Sequence, residues 1–144
     1  MICKSTGKLK FSNISQCIDA RMEKSIFLAS PFKNEILRDE SHSTANVYVL
    51  NQMDLWDNKV NVTLIFDQSN KLFMVRMSLS TGDDNSWANW SEDREKNLKI
   101  AHDNFLEQHL GLPPYEYEWG IIGSNYDPRS GSSMITIRYF QDII

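Results

Sequence analysis

The chain has 144 residues, of which 41% are hydrophobic and 24% are charged, and its formal net charge is −4 at pH 7. A chain of this length and hydrophobic content is expected to bury its own core as one domain, and no linker or repeat divides residues 1–144. The mild acidity argues against nucleic acid as a partner, because domains that bind phosphate backbones usually carry a basic stripe.

The first ten residues, MICKSTGKLK, lack the apolar run of a secretory signal peptide. No later segment is long and apolar enough to predict a membrane span. Cys3 and Cys17 are too few for a disulfide framework and do not have metal-ligand spacing. The sequence therefore predicts a cytoplasmic protein with two reduced thiols and no membrane partner.

The first third of the chain carries mixed signals. Residues 11–24 place apolar side chains at helical spacing after Ser12 or Asn13, either of which can cap a helix, so they predict a first helix. The short apolar run 25–32 is compatible with a strand, and the polar stretch 33–46 shows no clear pattern. The β-branched and aromatic residues 46–51 predict a strand.

The next segment predicts a β-hairpin. Apolar residues alternate with polar ones in 60–66, residues 67–70 are turn formers, and residues 72–79 are apolar at most positions. The alternation indicates that the first of these strands has one drier face, and the apolar return segment indicates a central strand. Leu64, Phe66 and Val75 are expected to be buried.

The strongest pattern predicts a long helix that begins after Ser91 or Ser86 and ends before Gly111 and two prolines. Glu92–Lys96 and Glu95–Lys99 are expected to form ion pairs one turn apart. At 100° per residue, the apolar stripe of this helix comprises Leu98, Ala101, Phe105, Leu106 and Leu110. Leu98 and Phe105 are expected in the core.

Residues 115–122 and 134–140 predict two further strands around the turn formers Asp127, Pro128 and Gly131. We interpret the polar segment 124–133 as a hairpin and not as a reactive loop. Strands joined by hairpins form an antiparallel sheet whose apolar face needs a cover. We therefore predict an α+β fold, with an antiparallel sheet of about five strands and helices packed on one face.

No pattern indicates a catalytic residue, a metal or a cofactor. The three histidines are His42, His102 and His109, and no Gly-x-Ser-x-Gly or phosphate-binding glycine motif occurs. His102 and His109 share a helix face, but seven residues separate them by about 10 Å along the axis. They are therefore too far apart to hold one zinc ion.

A small-ligand or enzyme domain remains an alternative interpretation. Arg94, His102 and His109 fall on the apolar stripe of the long helix, where a polar side chain must find a partner or line a cavity. With Arg76 from the sheet, they would line a pocket between helix and sheet. The arginines would hold an anion and a histidine would act as a general base.

A second cluster of residues suggests a protein partner. The segment before and within the long helix combines carboxylates with large apolar side chains: Asp83, Asp84, Trp87, Trp90, Glu92, Asp93 and Ile100. Tryptophans ringed by charge are typical of interface hot spots. In size, charge and expected α+β character, the chain resembles the small immunity proteins of bacterial toxin systems. We therefore predict a non-catalytic antitoxin that covers a basic, nuclease-type toxin domain.

Overall fold

The computed structural model describes residues 1–80 and 91–140. Two helices, one 3₁₀ helix and ten strands lie in these residues. In chain order they are β1 (Leu9–Lys10), β2 (Cys17–Ile18), α1 (Lys24–Leu28), the 3₁₀ helix (Pro31–Glu35), β3 (Ile36–Asp39), β4 (Asn46–Leu50), β5 (Met53–Leu55), β6 (Asn58–Phe66), β7 (Leu72–Leu79), α2 (Glu92–Leu110), β8 (Tyr115–Tyr117), β9 (Gly120–Asp127) and β10 (Ser132–Tyr139).

The described strands form mostly one antiparallel sheet, which confirms the α+β class. Its order is β3-β4-β6-β7-β10-β9-β8, and β5 pairs with β6 beyond the end of β4. The sheet therefore has eight strands, and the prediction of about five is wrong. The short strands β3 and β5 were missed because three or four residues are too few to show an alternating pattern.

The hairpin of β6 and β7 is confirmed. Its turn is closed by Asp67, whose carboxylate accepts hydrogen bonds from the amides of Ser69 at 2.8 Å and Lys71 at 3.1 Å. Along β6, Val60, Val62, Leu64 and Phe66 are at most 1% exposed, whereas Asn61 and Thr63 are only partly buried and Ile65 is 8% exposed. This alternation, which was visible in the sequence, fixes which face of the sheet belongs to the core.

The predicted helix over residues 11–24 is wrong. Phe11 and Ile18 are completely buried, but Ile18 belongs to β2, which pairs with β1. The first helix, α1, instead begins at Lys24 and occupies the apolar run that was interpreted as a possible strand. Helical spacing over a few residues does not outweigh burial of individual side chains, because tertiary packing overrides weak local preference.

The core is a single cluster of buried side chains from the N-terminal segment, both helices and the sheet. Phe27 of α1 contacts the rings of Tyr48 and Phe66 with centroids 5.2 and 5.4 Å apart. Leu64, Phe66, Val75 and Phe105 are buried as expected. Leu98 and Ala101 differ from the expectation, since Leu98 is only half-buried and Ala101 is exposed.

The long helix α2 begins where the sequence predicts. The Ser91 hydroxyl accepts a hydrogen bond from the Arg94 amide at 3.1 Å, and the Gly111 amide donates to the Glu107 carbonyl at 3.0 Å after the last turn. The expected Glu92–Lys96 ion pair is present at 2.8 Å. The expected Glu95–Lys99 pair is wrong, because Lys99 binds Asp103 at 2.8 Å. Neither described helix has the length and apolar character needed to cross a bilayer.

The C-terminal hairpin of β9 and β10 confirms the turn predicted from Asp127 and Gly131. The Asp127 carboxylate accepts from the Arg129 amide at 2.9 Å, and Gly131 has a positive φ of 66°. The single strand predicted for residues 115–122 is instead two strands, β8 and β9. Gly120, where β9 begins, permits the close approach of β10: a Cβ there would lie 2.1 Å from the carbonyl oxygen of Arg138.

Phe105→Ala is expected to lower the free energy of unfolding by about 3–5 kcal/mol, because it leaves a cavity beneath α2. The matched control is Ile100→Ala on the same helix, where the side chain is 56% exposed and the loss should stay within about 0.5 kcal/mol. Urea unfolding followed by circular dichroism measures both. Equal losses in the two variants would contradict this orientation of α2.

Candidate functional site

The helix α2 presents three different surfaces around its axis. Its buried face comprises His102, Phe105, Leu106 and Leu110. Successive residues are rotated by 100°, so one exposed flank, here called the acidic flank, comprises Glu92, Asp93, Lys96, Ile100, Asp103 and Glu107. The opposite flank comprises the uncharged residues Asn97, Ala101, Asn104 and Gln108. The exposed carboxylates of the helix are therefore concentrated on one flank.

His102 lies at the centre of the buried face and is completely inaccessible to solvent. Its Nε2 accepts a hydrogen bond from the Leu79 amide at 3.0 Å. Because Nε2 accepts, the neutral ring carries its proton on Nδ1, for which residues 1–80 and 91–140 provide no hydrogen-bond partner. Burial lowers the pKa of His102 to about 4. His102 is thus a neutral side chain that ties α2 to the end of β7.

Glu95 forms a second connection between α2 and the sheet. Its carboxylate accepts from the Ser133 amide at 3.1 Å, and its carbonyl accepts from the Ser133 hydroxyl. Ser133 belongs to β10 and is 2% exposed. These contacts explain why Glu95 does not pair with Lys99. Together with the hydrogen bond that His102 accepts from Leu79, they fix the rotation of α2 about its axis.

The residues predicted to line a ligand pocket do not converge. Arg76 is exposed and lies between the buried residues Val75 and Met77, so its side chain is on the sheet face away from the core. His102 is inside the core on the other face. The partly buried His109 ring stacks on Trp56, with centroids 4.1 Å apart and planes 3° apart. The structure does not bring Arg76 and these histidines into one pocket.

Arg94 lies partly buried in the first turn of α2, close to the capping residue Ser91.

The turn that carries Trp56 is unusual, since Trp56 and Asp57 both have positive φ, at 48° and 63°, and neither is a glycine. Such a backbone is normally adopted by glycine or asparagine. The Trp56 ring stacks on His109 and contacts Phe105, with centroids 5.5 Å apart, and these two contacts stabilise the turn. His109 therefore stabilises a turn, and this role explains its position on the apolar stripe.

Part of the predicted partner-binding cluster can be placed. Glu92 and Asp93 are exposed in the first turn of α2, and Ile100 is 56% exposed two turns further along. Asp83, Asp84, Trp87 and Trp90 lie outside the described residues. Asp103 and Glu107 were not among the predicted site residues, although their helical spacing from Ile100 places them on the same flank.

Comparison with protein-family models, with curated protein sequences and with solved structures gave no significant match. The interpretation of the site therefore depends on its geometry and electrostatics.

His102 is expected to make the fold sensitive to acid. The unfolded chain takes up the proton near the ordinary histidine pKa of 6.5, whereas the pKa of His102 in the folded chain is about 4. Stability is therefore fully present above pH 6.5 and is lost as the pH falls through this window, by roughly 2 kcal/mol at about pH 5.

Urea unfolding at about pH 7.5 and pH 5 measures this loss. His102→Gln serves as the comparison, because its amide oxygen can still accept from the Leu79 amide but does not titrate. The variant should lose less stability between the two pH values than the wild type. An identical pH dependence would show that His102 is not the titrating group, since all other ionisable side chains are shared.

Proposed function

We propose that this chain is a non-catalytic protein-binding module of the bacterial cytoplasm, an immunity protein or antitoxin that neutralises a basic toxin domain by direct binding. The partner is a cationic, nuclease-type protein domain, and the binding surface includes the acidic flank of α2. No cofactor, metal, nucleic acid or membrane takes part in this proposal. In this proposal the sheet supports α2, and the acidic flank of α2 contacts the partner.

The observation that carries the proposal is the asymmetry of α2. Its acidic flank holds four carboxylates and one ammonium group, that of Lys96, whereas the four residues of the opposite flank are uncharged. Ile100, 56% exposed, lies in the middle of the acidic flank. In the proposed complex, this apolar side chain is desolvated and the surrounding charges orient the partner.

The proposed interface has an adequate size. At 1.5 Å per residue, α2 is about 28 Å long, so its flank can span a standard interface together with the preceding segment. In this proposal Asp83, Asp84, Trp87 and Trp90, which precede α2 in the sequence, contribute charge and two aromatic anchors to binding of the same partner. The proposal takes both helices to lie on one face of the sheet, so that the flank projects outward.

The carboxylates and Ile100 are expected to affect different steps of binding. Exposed carboxylates attract a basic partner over several ångströms and raise the association rate, an effect that salt screens. Ile100 contributes only after contact, when its side chain leaves water, so it slows dissociation. A small-ligand pocket is the less favoured alternative, because Arg76 and His102 lie on opposite faces of the sheet.

The proposal predicts different kinetic defects for two variants, measured by surface-bound kinetics with the purified products of the genes adjacent to that of this chain. Asp93→Lys should lower the association rate about threefold and weaken its dependence on salt. Ile100→Ser should instead raise the dissociation rate by roughly five- to tenfold, as for an anchor of moderate strength.

Two matched controls exclude nonspecific effects. Glu40→Lys makes the same charge change at an exposed residue after β3, and Leu37→Ser removes an apolar side chain that is also 56% exposed. Both controls should bind like the wild type. Binding that is equally weakened by Asp93→Lys and Glu40→Lys would contradict a specific role for the acidic flank. Failure of every adjacent gene product to bind would contradict the antitoxin function.

A further inference from the structure

A groove of about 400 Å³ lies beside the acidic flank, between the second half of α2 and strands β8 and β9. Lys99, Asp103 and Glu107 line it from the helix. Its other side includes Pro113 and Pro114, which follow α2, and residues of β8 and β9. The groove thus joins an apolar wall to the carboxylates of the acidic flank.

The charges in the groove favour a cation. Asp103 and Glu107 contribute negative charge, and the C-terminal end of α2, where the groove opens, carries the negative end of the helix dipole. Lys99, the cation among the described lining residues, is already bound to both Asp103 oxygens, at 3.1 and 2.8 Å. The groove therefore already accommodates one ammonium group, and Glu107 remains exposed to receive another positive charge.

The apolar wall selects among cations. A long basic side chain has an apolar stem and a charged head, and it packs best where an apolar surface ends at a carboxylate. Pro113, Pro114 and the buried Ile122 provide such a surface. Leu112, immediately before the prolines in the chain, is 76% exposed and adds apolar surface next to them. A small inorganic cation has no apolar stem to pack against this wall.

We infer that the groove receives an arginine or lysine side chain of the basic partner, with the stem against Pro113 and Pro114 and the charged head between Asp103 and Glu107. This inference rests on the proposed function and adds a specific contact to it. The groove is continuous with the acidic flank through Asp103 and Glu107, so one partner can engage both. The partner segment that enters is basic, flanked by apolar residues that contact Leu112.

The test uses two short capped peptides, Gly-Leu-Arg-Leu-Gly and the same peptide with citrulline, the neutral isostere, in place of arginine. Each is titrated into the ¹⁵N-labelled full chain, and amide shifts are recorded by NMR at about 20 and 200 mM salt. The arginine peptide should shift the amides of Tyr115, Gly123 and Ser124, which line the groove, and high salt should weaken its binding. Equal binding of the citrulline peptide, or shifts confined to another surface, would overturn the inference.

Glu107→Gln should weaken binding of the arginine peptide about three- to fivefold, as expected for a partly exposed ion pair. Glu40→Gln removes the same charge at the distant β3 edge and should leave the affinity unchanged. The inference and the proposed function fail separately. If Ile100→Ser weakens the protein partner but Glu107→Gln does not, the groove contact is wrong. If the peptide binds the groove but no adjacent gene product binds the chain, the antitoxin function is wrong.

Discussion

The attachment of α2 to the sheet decides what the rest of the molecule presents to solvent. Two polar contacts fix it: the His102 ring accepts from the end of β7, and Glu95 accepts from Ser133 of β10. On the next turn after His102, Phe105 and Leu106 are buried in the core. A helix can rotate about its axis when only apolar side chains hold it, but hydrogen bonds at defined positions permit one orientation. The acidic flank faces outward because of these two contacts.

His102 stabilises the attachment of α2, but burying its polar ring is unfavourable. Its Nδ1 is buried without a partner among the described residues, and its pKa is far below that of a free histidine because burial disfavours the charged ring. An apolar residue would avoid both problems, but it would leave the Leu79 amide unsatisfied. The histidine is retained in this arrangement as an acceptor, and its position explains why a polar residue interrupts the apolar stripe. The same reasoning removes it from consideration as a general base.

The acidic flank and the groove beside β8 and β9 are parts of one surface. Ile100 and the exposed carboxylates offer the combination that protein partners recognise, and the apolar wall at Pro113 and Pro114 adds a shaped recess. In the proposed function, long-range attraction and close packing are supplied by different residues of the same helix. This division is the feature that favours a protein-binding function over a ligand pocket, since the candidate pocket residues point to different parts of the fold.

The sequence by itself determined the elements that local chemistry specifies. Alternation along β6, the turn formers at Asp67 and Asp127 and the cap at Ser91 each act within a few residues, so the hairpins and the start of α2 were predictable. The acidic flank was partly predictable, because helical spacing places Glu92 and Ile100 on the same side of the helix.

Only the tertiary structure decided which polar side chains meet. Arg76 and His102 were separated by the two faces of the sheet, and Glu95 was diverted from Lys99 to Ser133, 38 residues away in sequence. Such choices depend on groups that meet only after folding, and the free energy of burying them exceeds any local preference.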